Sequence, residues 1–304
     1  MGSAILDHQI KEKIFHLKNS NSIIELNKGF SDDKKYVIDD KYLLRLFPIE
    51  DEKNRKEEFD TLNKLATYSN YVPSGIEFNS LKDIKMAYMI LTYLPGKDAE
   101  VALKDLTEKE QYTSGFLAGK ELKKIHEFSA PSGYPSWYSL KKKKSDNYLI
   151  ELKKMDLDEN IIDMLETYIR NNEAIMKDRP NKFQHDDFHP SNLLINDHTF
   201  SGIIDFQRMD WGDPIHDLHK LGFFSKRVSV EFTKGIIDGY HEDCVSLRHS
   251  FWELYCLYSV MHIVSALVWG TRRNREQYEL LLEYSLDVIS DHDHFNRVIP
   301  KWYN

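Results

Sequence analysis

The chain has 304 residues, 41% hydrophobic and 30% charged, with a formal net charge of −8. Such a mixture is globular, with enough residues for one large or two moderate domains around a sizeable core, and it excludes an intrinsically disordered chain. The acidic balance disfavours a nucleic-acid partner, and the one cationic run, Lys141 to Lys144, reads as a solvated face. Cys244 and Cys256 are the only cysteines, which rules out a disulfide framework or a four-cysteine zinc site and suits a reducing cytoplasm. The N-terminus lacks the charged-then-apolar pattern of an export signal.

After a polar amphipathic opening to about Leu17, the segment Ile23 to Leu46 contains three short strand-like runs. Gly29-Phe-Ser-Asp-Asp-Lys-Lys separates the first two, and the polar turn Asp39-Asp40 separates the second from the third. The stretch RKEEFDTLNKL from Arg55 sets Phe59, Leu62 and Leu65 on one side of a helix. Met86 to Tyr93 is a continuous apolar strand that ends at Leu94-Pro95-Gly96. By itself Gly29 marks only a turn, and Pro95-Gly96 a turn after an edge strand.

Beyond this point helices dominate. Thr107 and Glu110 form a capping-box pattern that opens a helix through Tyr112, Phe116, Leu122 and Ile125, ending near His126. Ile161, Leu165, Tyr168, Asn172 and Ile175 recur at helical spacing until Arg179-Pro180. Phe251 to Trp269 is apolar and close to the ~20 residues that cross a bilayer. Glu253 and His262 interrupt it, so it reads as a core helix with no membrane partner, His262 being a hydrogen-bonded core histidine.

The most specific stretch is Phe183 to Phe206, FQHDDFHPSNLLINDHTFSGIIDF. Asp187 precedes Asn192 by five residues, and Asp205 follows Asn192 by thirteen. Phosphoryl transfer asks the protein for a carboxylate beside the attacking hydroxyl and for hard oxygen ligands to magnesium. Asp187 fits the first role, and the Asn192 carbonyl with the Asp205 carboxylate fits the second. The predicted geometry is a loop from His185 to Asn192, a buried strand Leu193 to Ile195, a turn at Asn196-Asp197 and a return through Gly202 to Ile204 that folds Asp205 back beside Asn192. An ordinary acidic loop before a hairpin explains neither the His-x-Asp order nor the buried approach to Asp205. His185 and His189 have the spacing of a zinc pair, but Pro190 and the strand signals argue against the helix that such a pair requires. His185 is therefore assigned to positioning the loop, and His189 is left without a role.

HDDFHPSN followed by IIDF resembles the catalytic and metal-binding segments of the aminoglycoside phosphotransferase family, small-molecule kinases with a protein-kinase-like fold. The resemblance implies an α+β chain of two lobes, an antiparallel-sheet nucleotide-binding lobe at 1–94 and a larger, mainly helical catalytic and substrate-binding lobe at 95–304. It implies transfer of a γ-phosphate from ATP or GTP, with Mg2+, to a hydroxyl of a small acceptor, an aminoglycoside-type antibiotic foremost. Macrolides, choline, methylthioribose, homoserine or an inert kinase-like binding module are the alternatives. By the same resemblance Asp187 is the catalytic carboxylate and Asn192 and Asp205 hold the metal. Gly29 and Ser31 lie in the loop over the phosphates, and Thr92 and Leu94 supply backbone groups to the base. Arg45 stands where the family has a strand lysine, paired with Glu58 rather than Glu57.

Asp186 occupies the family's glycine position and is expected to point to solvent. The Leu-Lys-Lys-Ile-His ending resembles the first large-lobe helix, with His126 structural. Trp211 to Leu218 resembles the segment that closes the metal loop, with Asp213 capping a helix and Asp217 anchoring the catalytic loop. For a cationic acceptor, Asp238, Glu242 and Asp243 are candidate carboxylates, set against a plain solvated patch. Trp252, Tyr255 and Trp269 suit a quaternary acceptor but are expected to fill core.

Overall fold

A computed structural model describes residues 8–27, 33–242 and 249–304. Gly29, Ser31 and Asp243 lie outside the described residues. The chain divides into two compact units, Met1–Gly96 with Ser201–Gln207, and Lys97–Phe200 with Arg208–Asn304. Ser201–Gln207, which the sequence places in the larger lobe, belongs to the first unit.

The first unit begins with α1 (His8–Lys13) and α2 (Phe15–Lys18) and then builds a sheet from β1 (Ile23–Leu26), β2 (Lys34–Ile38), β3 (Tyr42–Pro48), β4 (Gly75–Leu81) and β5 (Met86–Thr92). The strand order is β1-β2-β3-β5-β4, and every pairing is antiparallel. The β2–β3 turn places Asp39 and Asp40 both at φ 51°, the left-handed pair that a tight hairpin needs and that aspartate tolerates. Strand alternation sorts the sheet's two faces. Tyr36, Ile38, Leu44, Leu46, Tyr88 and Ile90 form one core with Ile10, Ile14 and Leu17 from the opening helices. Arg45 falls on the opposite face, where α3 (Glu52–Leu65) presents Glu58.

The second unit comprises β6 (Lys97–Asp98), α4 (Ala99–Ala102), α5 (Glu108–Ile125), α6 (Trp137–Leu152), α7 (Glu159–Asn172), β7 (Lys182–Gln184), β8 (Leu193–Asn196), the start of β9 (Thr199–Ile203), β10 (Asp210–Gly212), α8 (Lys226–Val228), α9 (Val230–Tyr240), α10 (His249–Arg273) and α11 (Arg275–Asp291). The Thr107–Glu110 capping box is formed in full at the start of α5. The turn between β8 and β9 uses Asp197 and His198 at positive φ, one residue later than the expected Asn196-Asp197. Asparagine and aspartate both tolerate the left-handed region, so composition alone cannot fix which pair turns. Helix α10 is long and apolar enough to span a bilayer, yet 83% of its apolar window is buried within the protein. Its core partners include Leu149, Leu152, Leu165, Ile169 and Leu281, from α6, α7 and α11.

Helices α5 and α9 cross at two pairs of glycines, Gly115 and Gly119 against Gly235 and Gly239. A Cβ at Gly239 would sit 1.9 Å from the Phe116 carbonyl oxygen, and one at Gly115 2.0 Å from that of Phe232. The two main chains therefore touch directly, a closeness that only glycine permits. At one end of this crossing His126 follows α5 and Tyr240 ends α9, with the Tyr240 hydroxyl 2.8 Å from His126 Nδ1.

Candidate active site

β7 pairs antiparallel with β10, and the chain leaves β7 straight into His185. From there the loop is fixed through its backbone. The buried Asp217 carboxylate accepts from the His185 amide at 2.6 Å, the Asp186 amide at 2.8 Å and His126 Nε2 at 3.0 Å. With His126 Nε2–H donating to the carboxylate, Nδ1 is left to accept from the Tyr240 hydroxyl. Burial alone would raise the pKa of Asp217, but the His126 contact and the His185 amide hold it below the ordinary value. Asp186 adopts φ 56°, the left-handed conformation that suits the family's glycine. The fully buried His185 turns Nδ1 toward the Asp187 amide, which donates to it at 3.2 Å.

These constraints place Asp187 against Asn192. Asn192 Nδ2 donates to the Asp187 carbonyl at 2.9 Å and lies 3.3 Å from Asp187 Oδ2. With its amide nitrogen so committed, Asn192 has its carbonyl oxygen, the hard donor that magnesium takes, without a protein partner among the described residues. On the other side, Lys220 Nζ lies 2.6 Å from both Asp187 Oδ1 and the Asp186 carbonyl oxygen. His189 Nε2 is 3.5 Å from Asp187 Oδ1, and Arg208 Nε 3.7 Å from Oδ2. Burial works to raise the Asp187 pKa, but the His189 and Lys220 contacts outweigh it and hold the carboxyl far below the usual range. So acidic a group is a weak proton acceptor.

Asp186 differs from expectation. Its carboxyl turns inward, Oδ1 lying 3.4 Å from Nδ1 of the buried His216, and burial raises its pKa. Lys141, expected on a solvated face, also turns inward, its Nζ 2.6 Å from His216 Nε2 and its pKa lowered to about 7 by burial and the nearby Lys144. Asp186, His216 and Asp217 come close enough together to suggest a metal cluster. All three contacts to Asp217 are already made within the protein, and Lys141 Nζ already occupies His216 Nε2, so the group is poorly suited to a cation.

In the first unit Arg45 is buried at 5% exposure, with Nη1 2.6 Å from Glu58 Oε1 and Nη2 2.6 Å from Asp33 Oδ2. Arg55 completes the group at 2.7 Å from Asp33 Oδ1 and 3.3 Å from Glu58 Oε2. Burial opposes the Arg45 charge, but Glu58 and Asp33 more than restore it, raising the pKa. Glu57 instead lines an open groove of about 520 Å³ that holds none of the sequence-assigned site residues. The sequence reading missed Lys35. It sits opposite Arg45 in the β2–β3 register, its pKa lowered by burial and Arg45 while Asp205 pulls the other way. Asp205 follows β9 at φ 64°, a left-handed conformation that aspartate tolerates better than most residues.

Thr92 and Leu94 are only partly disposed as expected. The Thr92 amide already donates to the Ser74 carbonyl at 2.8 Å and the Tyr93 amide to Lys41 at 2.8 Å. Among the described residues, the Leu94 amide has no protein acceptor and is the free donor of this segment.

The remaining candidates resolve into structural roles. Asp213 caps the turn at Ile215 and binds Arg179 through two contacts, at 2.7 and 2.9 Å. Asp238 is occupied by the Tyr112 and Tyr303 hydroxyls at 2.8 and 2.6 Å, and Glu242 pairs with Lys120 at 2.7 Å. Trp252 and Tyr255 are core, whereas Trp269 is exposed beneath Arg273, because helix α10 turns that position outward. His262 is not hydrogen-bonded as expected. Its Nε2 has no partner, and its ring packs among His219, Phe223 and Phe224. Lys220 and Arg208 had no motif to reveal them. One signal was present for Lys220: it lies three residues after Asp217, hence on the same face of a helical turn.

A profile of the phosphotransferase enzyme family matches residues 22–250, most of the chain. The chain belongs to the phosphotransferase enzyme family. Among solved structures, this phosphotransferase is similar to ADP-bound aminoglycoside phosphotransferase APH(2'')-Ib, with a TM-score of 0.65 and 18% identity, covering 98% of this chain and 99% of that one. It is also similar to the gentamicin complex of APH(2'')-IIa, with a TM-score of 0.65 and 20% identity over 92% and 96% of the two chains. The GDP and kanamycin complex of APH(2'')-IIia gives 0.69 and 18% over 90% and 94%. These likenesses show the two-lobed, kinase-like α+β fold. A comparison with curated protein sequences found no match.

Proposed function

We propose that the protein is a cytoplasmic small-molecule kinase that transfers the γ-phosphate of ATP or GTP to a hydroxyl of an aminoglycoside-type acceptor. The observation that carries this reading is the pairing of an ionised Asp187 with Asn192 in a loop pinned by Asp217. In the mechanism that follows, Asp187 orients the acceptor hydroxyl for in-line attack on the γ-phosphorus. Arg45, held by Glu58, and its neighbour Lys35 offer positive charge to the phosphates. The Thr92 carbonyl with the Leu94 amide meets the base. Asn192 and Asp205 would hold Mg2+, which when bound neutralises charge on the phosphate oxygens. The net charge of −8 favours a cationic acceptor over an anionic one at long range.

Lys220 and Arg208 beside Asp187 favour a second reading, in which the acceptor is a less cationic small alcohol. A screen of aminoglycosides against neutral and quaternary alcohols, with ATP and GTP and detection of phosphorylated product by mass, separates the two. Asp187→Asn is expected to lower turnover by about a hundredfold or more while nucleotide affinity stays near wild type. Full phosphoryl transfer by that variant would sink the proposal.

A further inference from the structure

Lys220 is 8% exposed at its side chain and comes from outside the catalytic loop. It stands where the chain passes from the 3-10 turn Pro214–His219 into a π turn at Leu221–Ser225. Such widened turns recur where a side chain must be re-aimed at a functional site. Burying an ammonium costs several kcal/mol unless strong partners meet it. Here two do: the Asp186 carbonyl and Asp187 Oδ1, each at 2.6 Å. The loop backbone does not need this contact for its shape, since Asp217 and His185 already hold the amides of residues 185, 186 and 187. Lys220 adds a grip on the carboxylate itself. The other cationic or imidazole groups near Asp187 lie farther away, His189 at 3.5 Å and Arg208 at 3.7 Å, the latter 61% exposed.

We infer that Lys220 is a positioning residue for phosphoryl transfer: it fixes Oδ1 of Asp187 against the Asp186 carbonyl, so that Oδ2 is the oxygen presented to the acceptor hydroxyl. The inference rests on the phosphotransfer reading above. With Oδ1 held on one side and Asn192 Nδ2 3.3 Å from Oδ2 on the other, carboxylate rotation is restricted from both ends. Misplacing a reacting group by ~1 Å costs ~100-fold in rate, which sets the scale of the expected effect.

The test uses magnesium-dependent hydrolysis of ATP and GTP, with water as the acceptor, on the full chain. Lys220→Met is expected to lower kcat by about 10- to 100-fold with the nucleotide KM within about twofold of wild type. Lys220→Arg, which keeps the charge, should recover part of the loss. In an Asp187→Asn background, Lys220→Met should cost little more, because the group it positions is already gone. Far-ultraviolet circular dichroism checks that each variant folds. If the methionine variant does not fold, Lys220→Gln, which keeps a donor for the Asp186 carbonyl, takes its place with the same expectation. A kcat within twofold of wild type, a loss confined to KM, or a full additive loss in the Asp187→Asn background would overturn the inference. If Asp187→Asn itself retains full turnover, the phosphotransfer reading has failed, whatever Lys220 does. If Asp187→Asn is inactive and Lys220→Met is not impaired, the role of Lys220 alone is refuted.

Discussion

Asp217→Asn isolates what the buried anchor contributes, because it changes charge with almost no change of shape. Three donors meet the carboxylate, at 2.6, 2.8 and 3.0 Å. In the least damaging arrangement the remaining asparagine oxygen serves His185 and His126, and the new amide faces the Asp186 amide, donor against donor. One charge-assisted bond, worth ~1.5–3 kcal/mol, is then lost, and the two survivors weaken to neutral strength. The expected destabilisation is ~2–4 kcal/mol, less than the ~5–15 kcal/mol that holds a typical domain folded. The variant should therefore fold, with a catalytic loop released at Asp186, where φ is 56°. Urea denaturation should show the stability loss, and magnesium-dependent nucleotide hydrolysis a fall of ~100-fold, the consequence of an ångström of misplacement at Asp187. Stability within ~0.5 kcal/mol of wild type together with unchanged turnover would refute this account of Asp217.

Other outcomes follow from the same geometry. Arg45→Met strands the carboxylates of Asp33 and Glu58, 2% and 4% exposed at their side chains, and should cost ~3–5 kcal/mol by urea denaturation; a neutral result would mean that Arg55 compensates for both. Gly239→Ala gains ~1 kcal/mol of helix propensity but drives a methyl into main chain that cannot swing aside, so a net loss of ~2 kcal/mol is expected, and a raised melting temperature would contradict the crossing. His292 is buried and titrates at about 4, against ~6.5 unfolded. Its folded pKa is depressed, so the unfolded chain takes up the proton first, and stability falls as pH drops from ~6.5 toward the folded value. At pH 5 this one group should account for ~2 kcal/mol. His292→Gln should reduce the difference between denaturation midpoints at pH 7 and pH 5, the other buried histidines keeping their share, and an unchanged difference would rule the group out.

The sequence disclosed those parts of the site whose geometry is carried by neighbours in the chain. The spacing from Asp187 to Asn192, the Thr107–Glu110 capping box and the strand pattern around Arg45 are local, and each can be read from one segment. What could not be read depends on partners distant in sequence. Lys141 is one of four consecutive lysines, and nothing in that run says which one meets His216. Asp186 was expected to face water because alternation in an extended loop predicts it, yet a left-handed backbone there reverses its direction. His262 was expected to find a hydrogen bond, but three aromatic and imidazole rings, those of His219, Phe223 and Phe224, pack around it instead. Lys220 became visible only once Asp217 was seen to hold the loop from the same face.

The glycine crossing of α5 and α9 bears on how such a site can change over evolution. Where helices meet through side chains, each substitution of a packing residue shifts the helix axes, and everything attached to their ends drifts. Here the separation is set by peptide groups, which no substitution outside the four glycines alters. The ends of this fixed pair carry His126 and Tyr240, and through His126 the anchor of the catalytic loop. The solvent-exposed positions of both helices are thus free to vary without moving the two main chains apart.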